Sequence, residues 1–130
     1  MKKFYLIICT IILAISLVAC GEPQHKLVYE KSQQIKVADE YNCVAVYTQY
    51  TNASSESAIP ADNLNVKAYQ NGVELTPIVP TGDRTNGYIQ CDASVQAGKT
   101  AKVIWLFQLD DKSKVSIELP DGKTEEVSLW

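Results

Sequence analysis

The sequence predicts an all-β domain, a two-sheet antiparallel sandwich of about seven strands, behind a secretory leader. Three observations predict it. After residue 26, apolar residues recur with period two, and no apolar stripe of helical period runs beyond two turns. Asn71-Gly72, Asn86-Gly87 and Asp121-Gly122 are pairs that accept φ > 0 at both central positions of a hairpin turn. Short apolar runs alternate with turn signals about every 8–15 residues, the spacing of sandwiches and barrels rather than of βαβ units.

The leader comes first. Met1-Lys2-Lys3 is short and basic, and Phe4 to Val18 is apolar except for Thr10 and Ser16. That run of about 15 residues falls short of the roughly 20 that cross a bilayer as a helix, so it reads as the n- and h-regions of a signal peptide. Leu17-Val18-Ala19-Cys20 then resembles the lipobox of bacterial lipoprotein precursors. Its chemistry is specific. A thiol takes a diacylglyceryl group as a thioether, small Ala19 opens the bond before Cys20 to the lipoprotein signal peptidase, and apolar Leu17 suits that enzyme's membrane-embedded cleft. Cleavage between Ala19 and Cys20 removes residues 1–19, Cys9 among them, and leaves the chain held by lipid on Cys20. Each buried methylene contributes about 0.8 kcal/mol, so two acyl chains anchor stably where one does not. Residues 20–26 are the lipidated cysteine and a short polar linker, and 27–130 is the domain. Extended, that linker spans only about 20 Å, which keeps the domain near the membrane.

Removing residues 1–19 from a chain of 130 leaves 111, enough for one core. Lys2 and Lys3 leave too, so the 12 basic residues become 10 against 15 acidic ones, a net charge of about −5. Without a basic stripe, phosphate neutralisation has no surface to act from, and nucleic acid is excluded as a partner.

The strands follow in order. Leu27, Tyr29, Ile35 and Val37 mark the first. In Tyr41 to Thr51, Val44, Val46, Thr48 and Tyr50 share one face, with Cys43, Ala45 and Tyr47 on the other. Leu64 to Gln70 and Val73 to Ile78 come next, with Pro77 and Pro80 making the latter an edge. Thr100 to Leu109 is apolar on both faces, Val103, Trp105, Phe107 and Leu109 against Ile104 and Leu106, and is therefore central. Val115-Ile117-Leu119 and Val127-Leu129 close the series. Asn52 to Ser57, Pro60 and Asp110 to Ser113 read as loops and a turn. An immunoglobulin-like topology fits best, and a closed barrel is the second choice.

Four stretches carry a family resemblance: Val46-Tyr47-Thr48-Gln49-Tyr50-Thr51-Asn52, Ala68-Tyr69-Gln70-Asn71-Gly72-Val73-Glu74-Leu75, Ala97-Gly98-Lys99-Thr100 and Phe107-Gln108-Leu109-Asp110-Asp111. Over about residues 27–120 the chain resembles the small immunoglobulin-like lipoprotein domains of unknown function secreted by Gram-positive bacteria, although Ala97-Gly98 stands where that family commonly has Pro-Gly. The resemblance implies an immunoglobulin-like fold and an extracytoplasmic place, and it implies no catalytic residue.

Few residues offer chemistry. Cys43 and Cys91 are a candidate disulfide outside the cell, closing a loop that would contribute roughly 4 kcal/mol; two half-buried thiols are the alternative. Zinc needs clustered Cys or His, and His25, the sole histidine, sits in the linker, so no metal and no cofactor are expected. Ser or Cys nucleophiles lack a histidine base in the domain. Tyr41, Tyr47 and Tyr69 lie opposite the apolar faces of their strands; they are the candidate binding surface, and covering the second face or an edge is the alternative. The expected function is a non-catalytic module of the cell envelope, binding an envelope protein or a glycan from the outer face of the membrane. A structural lipoprotein without a specific ligand, and a small enzyme or enzyme inhibitor, are the alternatives.

Overall fold

The computed structural model describes residues 23–78 and 87–130. The leader, the Ala19-Cys20 junction and the first linker residues, with Pro80 and Asn86, lie outside the described residues.

Among the described residues, nine strands form two sheets. They are β1 (His25–Val37), β2 (Tyr41–Asn52), β3 (Lys67–Gln70), β4 (Val73–Glu74), β5 (Pro77–Ile78), β6 (Ile89–Gln90), β7 (Thr100–Gln108), β8 (Val115–Glu118) and β9 (Thr124–Val127). One sheet runs β1-β2-β7-β5 with β6 also on β7, and the other runs β4-β3-β8-β9. This is the strand order of an immunoglobulin sandwich, A-B-E-D facing C′-C-F-G. The extra strand β6 pairs with β7 in parallel, Ile89 to Val103 and Gln90 to Ile104, against an otherwise antiparallel pattern.

The core lies where the sheets face each other. Val44, Val46 and Tyr50 from β2 meet Val103, Trp105 and Phe107 from β7, and Ala68, Val115 and Ile117 oppose them from the second sheet. As expected, β7 is central and Trp105 is buried. Its indole Nε1 donates to Thr48 Oγ1 at 3.0 Å, and that hydroxyl donates to the Val103 carbonyl at 2.9 Å, so both polar groups are satisfied inside the core. A second cluster covers the outer face of the larger sheet: Ala45, Tyr47, Tyr88, Ile104 and Leu106, with Ile35, Val37 and Ile78 packed against it.

Local chemistry shapes the departures from the expected strands. In β1 a bulge interrupts the register between Tyr29 and Lys31. One extra residue switches sides, so Leu27 and Tyr29 pack on the inner core while Ile35 and Val37 pack on the outer cluster. The stretch Val73 to Ile78 is two strands. Leu75 N–H donates to Ala68 O at 2.7 Å, and the Thr76 carbonyl accepts from Gln108 N–H at 2.9 Å, so the chain crosses between sheets there. Pro77 then sits on an edge strand, where its missing N–H is tolerated. Pro60 opens a single helical turn, α1 (Pro60–Asn63), rather than a loop, its fixed φ suiting the first helical position.

The turns define two poles. Asn71 and Gly72 have φ of 52° and 78°, the expected type I′ pair. At Asp121-Gly122 only Gly122 has positive φ, and its N–H donates to Leu119 O at 3.0 Å, so Pro120-Asp121 are the central pair. The β1–β2 turn is type I′ at Ala38-Asp39, with φ of 55° and 53°. One pole carries this turn, Asn71-Gly72 and the β7–β8 loop. The other carries His25, the 53–58 loop, Gly98 and the Pro120-Asp121 turn.

Candidate binding face

A buried amide organises each pole. Gln70 is 2% exposed. Its Nε2 donates to the carbonyls of Asp111 at 3.0 Å and Ser113 at 2.9 Å, and its Oε1 accepts from the N–H groups of Asp110 at 2.8 Å and Asp111 at 3.3 Å. One side chain thereby supplies donors and acceptors to a loop with no ladder of its own. Asn71 Nδ2 donates to Asp111 Oδ2 at 3.0 Å, and Ser113 N–H donates to Asp111 Oδ1 at 2.8 Å. Hydrogen bonds from the Ser113 backbone and side chain, then from Asn71, hold the Asp111 carboxyl below the usual carboxylate range. At the other pole, fully buried Asn52 donates to the carbonyls of Glu56 at 2.8 Å and Val95 at 2.9 Å, and accepts from Ser54 N–H at 3.1 Å. The Gly98 N–H bonds the Asn52 carbonyl at 2.7 Å.

Beside the Gln70 clamp, a groove of about 640 Å³ opens on the outer face of the β4-β3-β8-β9 sheet. Strand register fixes its floor. Tyr69, Ser116 and Glu126 are successive partners across β3, β8 and β9, and Glu118 follows Ser116 on the same face of β8. Asn71 and Ser113 close the end that the clamp holds rigid, and Lys114 lines the same wall. The groove therefore combines one aromatic ring with amide, hydroxyl, carboxylate and ammonium groups. Such a set can stack on and hydrogen-bond a ligand. It contains no histidine and no thiol.

The three tyrosines singled out in the sequence do not share a surface. Tyr69 lines the groove. Tyr41 is 38% exposed, on the other sheet. Tyr47 is 1% exposed, covered on the outer face, and so is no part of a binding surface. Its ring meets Tyr88 edge-on at 4.8 Å between centroids, under the Lys31 ammonium at 5.1 Å. Alternation placed Tyr47 on the outward face correctly, but that face carries its own apolar cluster. Tyr88 donates to Glu30 Oε2 at 2.7 Å, and this bond, with burial and the Glu30 charge, raises the phenol's pKa. Glu30 is the residue that the β1 bulge inserts.

The expected Cys43–Cys91 bridge does not form; both thiols are free and buried. Cys43 pairs with Gln108 from β2, while Cys91 follows β6 on the opposite side of β7. Two strand spacings, about 9–10 Å, separate those strands, beyond the reach of a disulfide. Cys43 also shares the outward parity of Ala45 and Tyr47, whereas Cys91 belongs to the inner core. Burial raises the Cys43 thiol, and burial with the Asp92 charge pushes Cys91 up to about 11. His25 begins β1 instead of lying in the linker, and its Nδ1 shares a hydrogen bond of 2.6 Å with the hydroxyl of buried Tyr50.

Sequence reading missed Gln70, Asn52, Glu118 and Glu126. The first two stand within the stretches that carry the family resemblance, each paired in space with another such stretch: Gln70 with Asp110-Asp111, Asn52 with Gly98. The glutamates left no signal beyond their outward parity.

A family model described as a domain of unknown function, DUF5067, matches residues 23–121. No curated protein matches the chain. Among solved structures, one described as a "putative lipoprotein" from Staphylococcus aureus is similar, with a TM-score of 0.61 and 12% identity over 81% of this chain and 83% of that one. At that identity the likeness concerns the fold.

Proposed function

This chain belongs to the DUF5067 family, and from that premise we propose that it is a lipid-anchored, non-catalytic binding module on the outer face of a membrane, holding an envelope component in the Tyr69 groove. One observation carries the reading. The groove lies beside a pole that the Gln70 clamp makes rigid, and that pole is opposite the one where the chain enters at His25. With lipid on Cys20, the 13-residue β1 would carry the clamped pole some 40 Å beyond the chain's entry point. The lipobox-like Leu17-Ala19-Cys20 and the "putative lipoprotein" with the same fold support the anchor.

The chemistry of the described residues supports binding over catalysis. His25 is engaged with Tyr50, and Cys43 and Cys91 are buried thiols whose pKa values are raised. A thiol nucleophile needs the reverse shift.

Surface crosslinking of the native lipidated protein in intact cells, followed by mass spectrometry, tests the proposal. Reproducible enrichment of one envelope component, lost in Tyr69→Ala, is the expected result. Recovery of only this chain or of bulk wall material, unchanged by Tyr69→Ala, would favour the structural role.

A further inference from the structure

Charge divides the two sheets. The strands of the larger sheet hold Lys26, Lys31, Lys36 and Lys102 against Glu30 alone, and those of the smaller sheet hold Lys67 against Glu74, Glu118, Glu125 and Glu126. Three of the larger sheet's lysines gather on its outer face, toward the end where His25 enters. Leu27 and Tyr29 pack on the inner core, so Lys26 and Val28 point outward, and both are exposed, Val28 at 60%. Register places Val28, Gln49 and Lys102 in one row across β1, β2 and β7. Lys31 pairs with Tyr47 in the next row. The Lys31 ammonium lies 5.1 Å from the Tyr47 ring centroid and the Lys102 ammonium 5.5 Å from that of Tyr88, above two rings that meet edge-on at 4.8 Å. Cation–π attraction thereby holds both charges over the sheet. Among the described residues Lys26, Lys31 and Lys102 form no salt bridge. The one carboxylate of these strands, Glu30, accepts from the Tyr88 hydroxyl at 2.7 Å, and the face keeps an excess of positive charge.

Building on the lipid anchor at Cys20, we propose that this face docks on anionic lipid headgroups, so that the domain leans on its larger sheet against the membrane that holds it. Lys26 follows Cys20 by six residues, a reach of about 20 Å when extended, which keeps the lysines beside the headgroups. The tether makes the contact intramolecular, and an attraction too weak to recruit a free protein then suffices. Lysines near an anionic surface are attracted over about a Debye length, and the glutamates of the smaller sheet are repelled. Both effects turn the sandwich the same way. Val28, apolar and exposed among the lysines, adds contact with the headgroup layer. A polyanion of the wall offers the same charge as the lipid, but the tether favours the lipid, which is always within reach. The Tyr69 groove, on the outer face of the other sheet, then opens away from the membrane.

The test uses the lipidated protein, extracted from membranes and reconstituted into vesicles of phosphatidylglycerol and phosphatidylcholine in equal parts. Photoreactive benzoylphenylalanine stands at Val28, Gln49, Tyr69 or Val73, one position at a time, and lipid adducts are measured by mass spectrometry after irradiation. Positions 28 and 49 are expected to capture phosphatidylglycerol, and positions 69 and 73 to capture no lipid. That yield should fall about tenfold in pure phosphatidylcholine, and as far in the combined K26Q/K31Q/K102Q variant with its melting midpoint unchanged. Equal lipid capture on both faces, no lipid adduct at 28 or 49, full yield without anionic lipid, or full yield in the combined variant would each overturn the proposal. Capture of a wall polymer or a protein instead of lipid at 28 and 49 in intact cells would overturn it too. The N-terminal peptide of the same samples separates the two readings. An unmodified Cys20 would overturn the anchor and the docking face together, whereas a lipidated Cys20 without capture at 28 or 49 would overturn the docking face alone.

Discussion

Single side chains decide what this surface can do, and Tyr47 shows it. Its hydroxyl is buried with no hydrogen-bond partner, so the phenol contributes its ring to packing and nothing through its oxygen. Tyr47→Phe should leave stability unchanged or raise it by about 1 kcal/mol in chemical denaturation; a loss of that size would mean that the hydroxyl is engaged. The two thiols make a second prediction. Denatured without reductant, the domain should take a label at both Cys43 and Cys91, and native labelling of Cys91 should accelerate only as pH approaches about 11. Raising a thiol's pKa on folding stabilises the protonated native state. That contribution is complete below the unfolded value near 9.0 and is lost as pH rises through about 11, so stability should decline across this window. The tyrosines Tyr50 and Tyr88, also raised, add to the decline at its upper end. Period-two reading separated Val44, Val46 and Tyr50 from Ala45 and Tyr47 in β2, and Val103, Trp105 and Phe107 from Ile104 and Leu106 in β7, because parity needs only sequence. It left Tyr47 open between a binding surface and a covered face, and joined Cys43 to Cys91, because parity does not say whether an outward face is covered, nor which strand intervenes.

Among the elements, the β7–β8 loop depends most on one residue. Gln70→Leu keeps the volume and removes the bonds to Asp110, Asp111 and Ser113. It should cost about 2–3 kcal/mol and release the loop to fast amide exchange, with β2 and β7 remaining protected. A melting point within a degree of the parent would contradict the clamp. The Asn71-Gly72 turn was legible because its dipeptide specifies both positive φ values. The Ala38-Asp39 turn was not, since alanine in the left-handed region is strained by about 1–2 kcal/mol and carries no turn signature. There the long β1–β2 pairing, from His25–Asn52 to Val37–Tyr41, fixes a two-residue connection that the dipeptide itself does not favour. The bulge at Glu30 and the two-residue β6 were equally invisible, because each arises from pairing between distant segments.

At the scale of the whole molecule, the two sheets separate three tasks. The inner faces hold the Trp105 core, the outer face of the larger sheet is closed by the Tyr47–Tyr88 cluster, and the outer face of the smaller sheet stays open as the groove. Sandwich architecture and its central strand followed from alternation and turn spacing alone. The groove did not, since it comes from the register that aligns Tyr69 with Ser116 and Glu126. The proposed role of the groove depends on the chain being held at its other end, by Cys20. The most direct measurement is the mass of the N-terminal peptide of the protein extracted from membranes. The account predicts a peptide beginning at Cys20 and carrying a diacylglyceryl thioether, with Cys20→Ala leaving unprocessed or shed protein. A mature peptide with an unmodified Cys20 in the membrane fraction would contradict it.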